Sequence, residues 1–248
     1  TRHSQDAEER RGQHLKGQHL PMSFTENDVN YSLDLRLNQD DSFYLDTRNL
    51  RTWLLQKSRD KRVLNFFAYT GSLGIAALAG QAASVLQTDS NNTFLDQAER
   101  SRQLNKFSGQ MRLLTSDYFK AVAQLKQIKS LFDIVILDAP FFSRSRFGEV
   151  DLQNETASLI NKARPLVAHE GRLVVINNSL FVPGSQVIDE IEQMSHSGYV
   201  SLEQIIEIPM DITGYPEIIR STPPTDPTPF NHPTKIAILR ITRKDKAV

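Results

Sequence analysis

Hydrophobic and polar positions alternate at the start of the ordered pattern. Between residues 23 and 46, Val29, Tyr31, Leu33, Leu35 and Leu37 fall on one side, with mostly polar residues on the other. A period of two predicts a half-buried antiparallel strand. After a turn at Asn38–Ser42 come Phe43–Asp46, and apolar positions at Leu50, Trp53 and Leu54 then predict a helix. From Lys61 the pattern changes. Short strand-like runs appear at Val63–Phe67, Ser84–Thr88, Met111–Thr115, Phe132–Leu137 and Arg172–Asn178, with further strands predicted near Ile205–Ile208 and Lys235–Ile241. The Phe132–Leu137 run, almost wholly apolar, suits a strand buried on both faces. Helical stretches separate several of them, carrying Ala76, Ala77 and Ala79, then Phe94, Leu95, Ala98 and Leu104, then Leu152, Leu159, Ile160 and Ala163, and then Val187–Met194. Strands alternating with helices predict an α/β fold with a doubly wound sheet.

The strand ends carry the chemistry. The first run stops at a tight turn with Thr70, Gly71 and Gly74, and a small-residue helix begins at once. Strand, glycine loop and helix in that order form the unit with which open α/β sheets hold a nucleotide-like ligand. Gly71 can take a positive φ and lets the backbone approach a ligand closely. The glycine pattern is not the full Gly-x-Gly-x-x-Gly, so an ordinary βα turn is the alternative at this point. The second run ends on Asp89, 18 residues after Gly71, where an acid commonly grips a pair of ribose hydroxyls. Asn91, Asn92 and Thr93 follow as good helix N-caps. The third run leads into Ser116-Asp117-Tyr118-Phe119, and the fourth into Asp138-Ala139-Pro140-Phe141-Phe142. One acid at a strand end is ordinary turn chemistry. Four successive polar or glycine-rich ends line one crevice and predict a site.

Composition narrows the class. At 248 residues, with 39% hydrophobic content, the chain suits one large α/β domain and a small appendage. No run approaches the roughly 18 apolar residues of a membrane span, and Thr1–Gln5 lacks the apolar core of a signal peptide. A cytoplasmic protein with no membrane partner is therefore expected. There are no cysteines, which excludes disulfides, cysteine metal sites and thiol nucleophiles; no metal site is expected. The formal net charge is +0, so a nucleic-acid partner would have to be met by a local basic patch. Residues 1–22 read as a polar lead-in or linker, 23–57 as a hairpin-and-helix extension, and 58–248 as the main domain. Six prolines between Gly214 and Pro233 mark a long, stiff loop, and long loops in compact domains tend to be functional or mobile.

Three segments in order, Phe43-Tyr-Leu-Asp46-Thr-Arg48, Val63-Leu-Asn-Phe-Phe-Ala-Tyr-Thr-Gly-Ser72 and Asp138-Ala-Pro-Phe-Phe-Ser-Arg-Ser145, resemble the motifs of one family. It is the class I S-adenosylmethionine-dependent methyltransferases that modify large-subunit (23S) ribosomal RNA, which read roughly F-L-D-x-R, L-N-x-F-x-Y-T-G-S and D-P-P-x-F-S-x-S. The likeness covers roughly residues 23–242. It implies a Rossmann-like sheet of seven strands preceded by a small β-hairpin, with S-adenosyl-L-methionine as cofactor. It further implies that the donor's amino-acid end lies at the loop of Asn65, Ala68, Tyr69, Thr70 and Gly71, its ribose at Asp89 and Ser90, and its adenine at Asp117 and Tyr118. Arg48 would pair with the donor carboxylate or with Asp46. Asp138, beside Pro140, would sit by the transferring methyl, either holding the target nitrogen and drawing off its proton or stabilising the cationic donor.

Two departures from the family pattern matter. Ala139 replaces a usual proline, which frees an N–H and one φ in the target loop. Methylation of cytosine at its ring carbon needs a cysteine that adds to the base, and Asn177-Asn178-Ser179 stands at the end of the fifth strand instead. A nitrogen target is therefore expected over cytosine C5. Phe141 and Phe142 are candidate platforms for an unstacked base or else core residues. Arg144, Arg146 and Arg220 are candidate phosphate contacts or else solvated charges. The expected partner is ribosomal RNA, and the resemblance leaves room for a homodimer. A small-molecule methyltransferase of the same fold, or a non-catalytic RNA-binding relative, are the other readings.

Overall fold

The computed structural model describes residues 16–17, 19–37, 42–214 and 222–244. The polar lead-in through residue 15, most of the turn at 38–42, and Arg220 lie outside the described residues.

The chain opens with a hairpin, β1 (Ser23–Glu26) and β2 (Val29–Ser32). Asn27 and Asp28 turn it with φ of 50° and 61°, the left-handed pair that two-residue hairpin loops require. The alternating segment is thus a short hairpin that ends at Ser32, and Leu33–Leu37 lie in irregular structure and a turn beyond it. Tyr31 is buried and packs its ring against Phe24 and Phe43. The helix α1 (Arg48–Lys57) follows. Its Arg51 is fully buried, and its guanidinium donates to both carboxylate oxygens of Glu26, at 2.6 and 2.9 Å. That bidentate pair stitches the hairpin to α1.

The sheet then builds as β3 (Arg62–Phe66), α2 (Ser72–Ala79), β4 (Ser84–Asp89), α3 (Asn92–Gln103), β5 (Gln110–Thr115), α4 (Tyr118–Gln127) and β6 (Phe132–Leu137). An outlying hairpin, β7 (Phe142–Ser145) and β8 (Gly148–Asp151), leads to α5 (Thr156–Ala163), β9 (Val167–Asn177), α6 (Gly184–Ser195), β10 (Val200–Ile206), the short α7 (Met210–Thr213) and β11 (Lys235–Ile241). The seven strands lie in the order β10-β11-β9-β6-β3-β4-β5. All are parallel except β11, which runs against both neighbours. The chain steps outward from β3 through β4 to β5, then returns to the other side at β6. The carboxyl ends of β3 and β6 therefore flank the switch point where such sheets bind ligands.

Alternation along the central strands explains the two-sided core. Ile134 and Ile136 of β6 join a cluster with Leu50, Trp53 and Leu54 of α1 and Ile75 and Ala76 of α2. Val135 and Leu137 join the opposite cluster with Val122 of α4, Ile160 of α5 and Ile191 of α6. No helix among the described residues is long and apolar enough to cross a membrane.

The sequence pattern is displaced in three places. The basic segment Ser143–Arg146 belongs to the β7–β8 hairpin rather than an irregular loop. The sixth sheet strand begins at Val200, ahead of its apolar end, because its first half is solvent-facing. Leu152 precedes α5, held in a turn where its carbonyl accepts the Thr156 hydroxyl at 2.8 Å.

Candidate active site

A cavity of about 360 Å³ opens at the carboxyl ends of β3, β4, β5 and β6, within the size range of ligand sites. One wall is made by segments that follow those strands, with Tyr69, Asp89, Ser90, Phe94, Ser116, Asp117 and Tyr118. The other draws on distant parts of the chain, with Tyr44, Asp46, Asp138, Pro140, Ser143, Asn178 and Thr234.

Asp89, the last residue of β4, is held from both sides. Its Oδ2 accepts the Tyr69 N–H and its Oδ1 the Asn91 N–H, each at 2.9 Å. Burial raises its pKa, opposed by the backbone N–H groups of Asn91, Tyr69 and Ser90. Each carboxylate oxygen has two lone pairs, so acceptor capacity is left for a ligand. Tyr69 takes a φ of 49°, and Phe67 nearby takes 53°. Non-glycine residues of this bulk rarely adopt such angles, and backbone strain concentrates at ligand sites. The Tyr69 ring lies 4.5 Å from that of Phe94, edge to face, and 5.6 Å from that of Tyr44. Those three rings form an aromatic flank to the cavity.

Asp117 has a structural duty as well. As N-cap of α4 its Oδ1 accepts the Phe119 and Lys120 N–H groups at 2.8 and 3.3 Å, the ordinary role of an aspartate there. Tyr118 is buried, its hydroxyl donating to the Leu159 carbonyl and its ring stacked on Phe67.

Gly71 takes the positive φ expected of it, 80°, at the N-cap of α2. Its missing side chain serves packing. A Cβ there would come within 2.4 Å of the Ala98 Cβ and 2.7 Å of the Gln87 amide, and one on Gly74 within 2.5 Å of the same amide. Asn65 is buried and donates to that Gln87 at 3.0 Å. Ala68 is buried with its N–H on the Thr88 carbonyl, and the Thr70 hydroxyl donates to the Ser42 carbonyl at 2.7 Å. Asn65, Ala68, Thr70 and Gly71 thus stand behind the cavity wall and fix the turn that presents Tyr69. Arg48 is not among the lining residues. Of its expected partners Asp46 is not the one it takes: it donates to Asp211 at 2.7 Å and lies 3.4 Å from Glu26.

The second wall is a carboxylate cluster. Burial, and after it the charge of Asp46, pushes the Asp138 carboxyl up to about 7. Asp46 accepts the Thr234 hydroxyl through Oδ2 at 2.8 Å, and its Oδ1 is buried with no hydrogen-bond partner. Beside them, His232 accepts the Thr234 N–H at Nδ1. Burial lowers the His232 pKa, Asp46 opposes that shift, and Lys235 adds to it. Lys235 is buried, pushed down to about 8 by desolvation, and donates to the carbonyls of Ser179 and Pro233. A carboxyl poised near neutrality in a cavity can take up a proton from a bound group. Asp46, Thr234 and Asn178 were not singled out from sequence as site residues. Asp46 is the aspartate of the F-L-D-x-R-like segment, and its buried unpartnered oxygen, a tertiary property, marks it further.

Phe141 and Phe142 are 42% and 54% exposed, which removes the core alternative for both. Arg144 is paired with Glu149 across the β7–β8 hairpin at 2.8 Å, and the Arg146 guanidinium lies over the Phe147 ring. Among the described residues no group of three His, Cys, Asp or Glu side chains could hold a metal ion.

The family described as S-adenosylmethionine-dependent methyltransferase matches residues 6–212. Ribosomal RNA large subunit methyltransferase K/L of Hahella chejuensis is 37% identical over 137 residues, which is 54% of this chain and 19% of that protein. Ribosomal RNA large subunit methyltransferase K of Neisseria meningitidis is 34% identical over 157 residues, 62% of this chain and 44% of that protein. The matched segment thus spans less than half the length of these relatives. Among solved structures, SMU.776, described as a methyltransferase complexed with SAH, superimposes with a TM-score of 0.78 at 21% identity, covering 92% of this chain and 58% of that one. The Methanocaldococcus jannaschii tRNA m1G37 methyltransferase gives 0.59 at 16% identity, with 94% and 60% coverage.

Proposed function

The chain belongs to the S-adenosylmethionine-dependent methyltransferase family, and we propose that it methylates a nitrogen of a base in large-subunit ribosomal RNA. The observation that carries this reading is the pairing of two carboxylate sites in one cavity: Asp89 with acceptor capacity to spare, and Asp138 with its affinity for a proton raised to about 7.

The cavity fits the donor. Asp89 would hold the ribose hydroxyls, with Ser90 beside it, and Asp117, whose Oδ1 takes the helix N–H groups, would take the adenine amino group at Oδ2. Tyr69, Phe94 and Tyr44 would cover the apolar parts, and carboxylates rather than cations face the site, as a sulfonium ligand requires. When bound, S-adenosylmethionine supplies an electrophilic methyl group. Asp138 then orients the target nitrogen through a hydrogen bond and takes up the proton that leaves it, while Pro140 fixes the backbone that follows. Most of the rate enhancement would come from holding the two partners in line. With no cysteine in the chain, covalent addition to cytosine C6 has no nucleophile of the usual kind, which favours nitrogen over C5.

RNA as substrate is supported by the relatives' printed activities and by the exposed aromatic and arginine side chains of the segment 141–147. The test is transfer of labelled methyl from S-adenosylmethionine into protein-free large-subunit ribosomal RNA, followed by nucleoside analysis. A label on a base nitrogen is expected. Recovery of 5-methylcytidine would overturn the nitrogen assignment, and label found only in a small metabolite would overturn RNA as substrate.

A further inference from the structure

Directly after β9 the chain makes a charge-free rim to the cavity. From Asn177 to Ile188 it carries no ionisable side chain. Asn178 lines the cavity, and two and three residues on, Leu180 and Phe181 are 49% and 61% exposed.

These two side chains are held in water by a rigid backbone. Asn177 is buried, its amide donating to the Leu152 carbonyl and the Thr156 hydroxyl at 3.3 and 3.2 Å, and its Oδ1 accepting the Ser179 N–H at 3.0 Å. The Ser179 hydroxyl accepts the Phe181 N–H at 3.3 Å, and the Ser179 carbonyl accepts the buried Lys235 ammonium at 2.8 Å. On the far side Val182 is buried, and the Gly184 N–H donates to the Asp226 carbonyl at 3.0 Å. Gly184 packs so closely on the proline-rich segment that a Cβ would come within 1.8 Å of the Pro227 carbonyl oxygen. The loop is anchored at both ends, which fixes the backbone that carries Leu180 and Phe181. A pre-ordered apolar pair costs little further entropy when a ligand covers it.

Resting on the reading of RNA as substrate, we propose that Leu180 and Phe181 form a stacking subsite for a nucleobase neighbouring the methylated one. The occupant's chemistry follows from the rim. It offers an aromatic face and an aliphatic edge and no charge, which suits the π-face of an unstacked base rather than a phosphate. Because Leu180 and Phe181 come two and three residues after the cavity-lining Asn178, a strand whose target base enters the cavity would run beside them.

The test uses the full chain with Phe181→Trp and Phe181→Ala. Trp53, the chain's one tryptophan, is buried in the core, so Phe181→Trp adds a reporter at the rim. Single-stranded poly(A) and protein-free large-subunit ribosomal RNA are the probes. Stacking predicts that RNA quenches the added emission. Phe181→Ala should lose about tenfold or more in RNA affinity, with affinity for S-adenosylhomocysteine and thermal midpoint unchanged. If the wild type binds and methylates RNA while Phe181→Trp emission stays unchanged and Phe181→Ala binds normally, the subsite is overturned alone. If the wild type neither binds nor methylates RNA, the substrate reading falls and the subsite with it. Loss of concentration-dependent self-association in Phe181→Ala, without loss of RNA affinity, would assign the rim to contact between copies instead.

Discussion

The two walls of the cavity are built differently. The Asp89 wall comes from successive β–α junctions, each residue placed by the strand it terminates and braced by its own neighbours: Asp89 by the Tyr69 and Asn91 N–H groups, Asp117 by the first turn of α4. The Asp138 wall is assembled across the chain. Asp46 enters from the N-terminal extension, Thr234 from beyond the proline-rich loop, and their hydroxyl–carboxylate bond spans a separation of 188 residues. The first wall is a property of the sheet; the second exists only once the extension and the final strand have docked. Binding should depend on the first, and chemistry on the second.

The largest expected effect is on chemistry. Asp138→Asn keeps the shape of the side chain and removes its capacity to take up a proton. Single-turnover transfer to RNA should fall by about 100-fold or more, the usual worth of a general base. Next comes the donor wall. Asp89→Ala removes acceptors of hydrogen bonds to a charged group, each worth about 1.5–3 kcal/mol, so calorimetry should show affinity for S-adenosylhomocysteine lowered about 10- to 100-fold. Thr70→Val deletes the bond to the Ser42 carbonyl and leaves that carbonyl without its partner. Chemical denaturation should register a loss of about 1–2 kcal/mol, and donor affinity and transfer should both fall, because this bond ties the turn that presents Tyr69 to the extension that carries Tyr44 and Asp46. The smallest effect is a displaced pH profile. Transfer should rise with pH through about 7 as Asp138 ionises. In Asp46→Asn one of the two causes of that raised pKa is gone, so the limb should move to lower pH, by less than burial contributes. An unmoved profile would separate Asp46 from Asp138.

The same contrast sets what could be read from sequence. Strand ends are local, so Asp89, Asp117 and Asp138 were legible from where apolar runs stop, and Lys235–Ile241 matches its strand at both ends. The turn at Gly71 was legible too, but its packing was not. The space the glycines leave is taken by Ala98 and Gln87, packing partners that no local pattern discloses. The ion pairs of Arg48 were hidden for a similar reason: its partners Asp211 and Glu26 come from remote segments. The β7–β8 hairpin was missed because Phe142-Ser-Arg-Ser145 alternates over only four residues and pairs with a strand that carries Gly148 and Glu149. Asp46 and Thr234 could not have been joined without the fold.

The division of labour between the walls is tested most directly by titrating S-adenosylhomocysteine into Asp138→Asn by calorimetry, on protein whose transfer activity has been measured. The account predicts a dissociation constant within about tenfold of wild type although transfer is lost. A collapse of affinity comparable to that of Asp89→Ala would contradict it, and would make Asp138 part of the donor site rather than of the wall that meets the target.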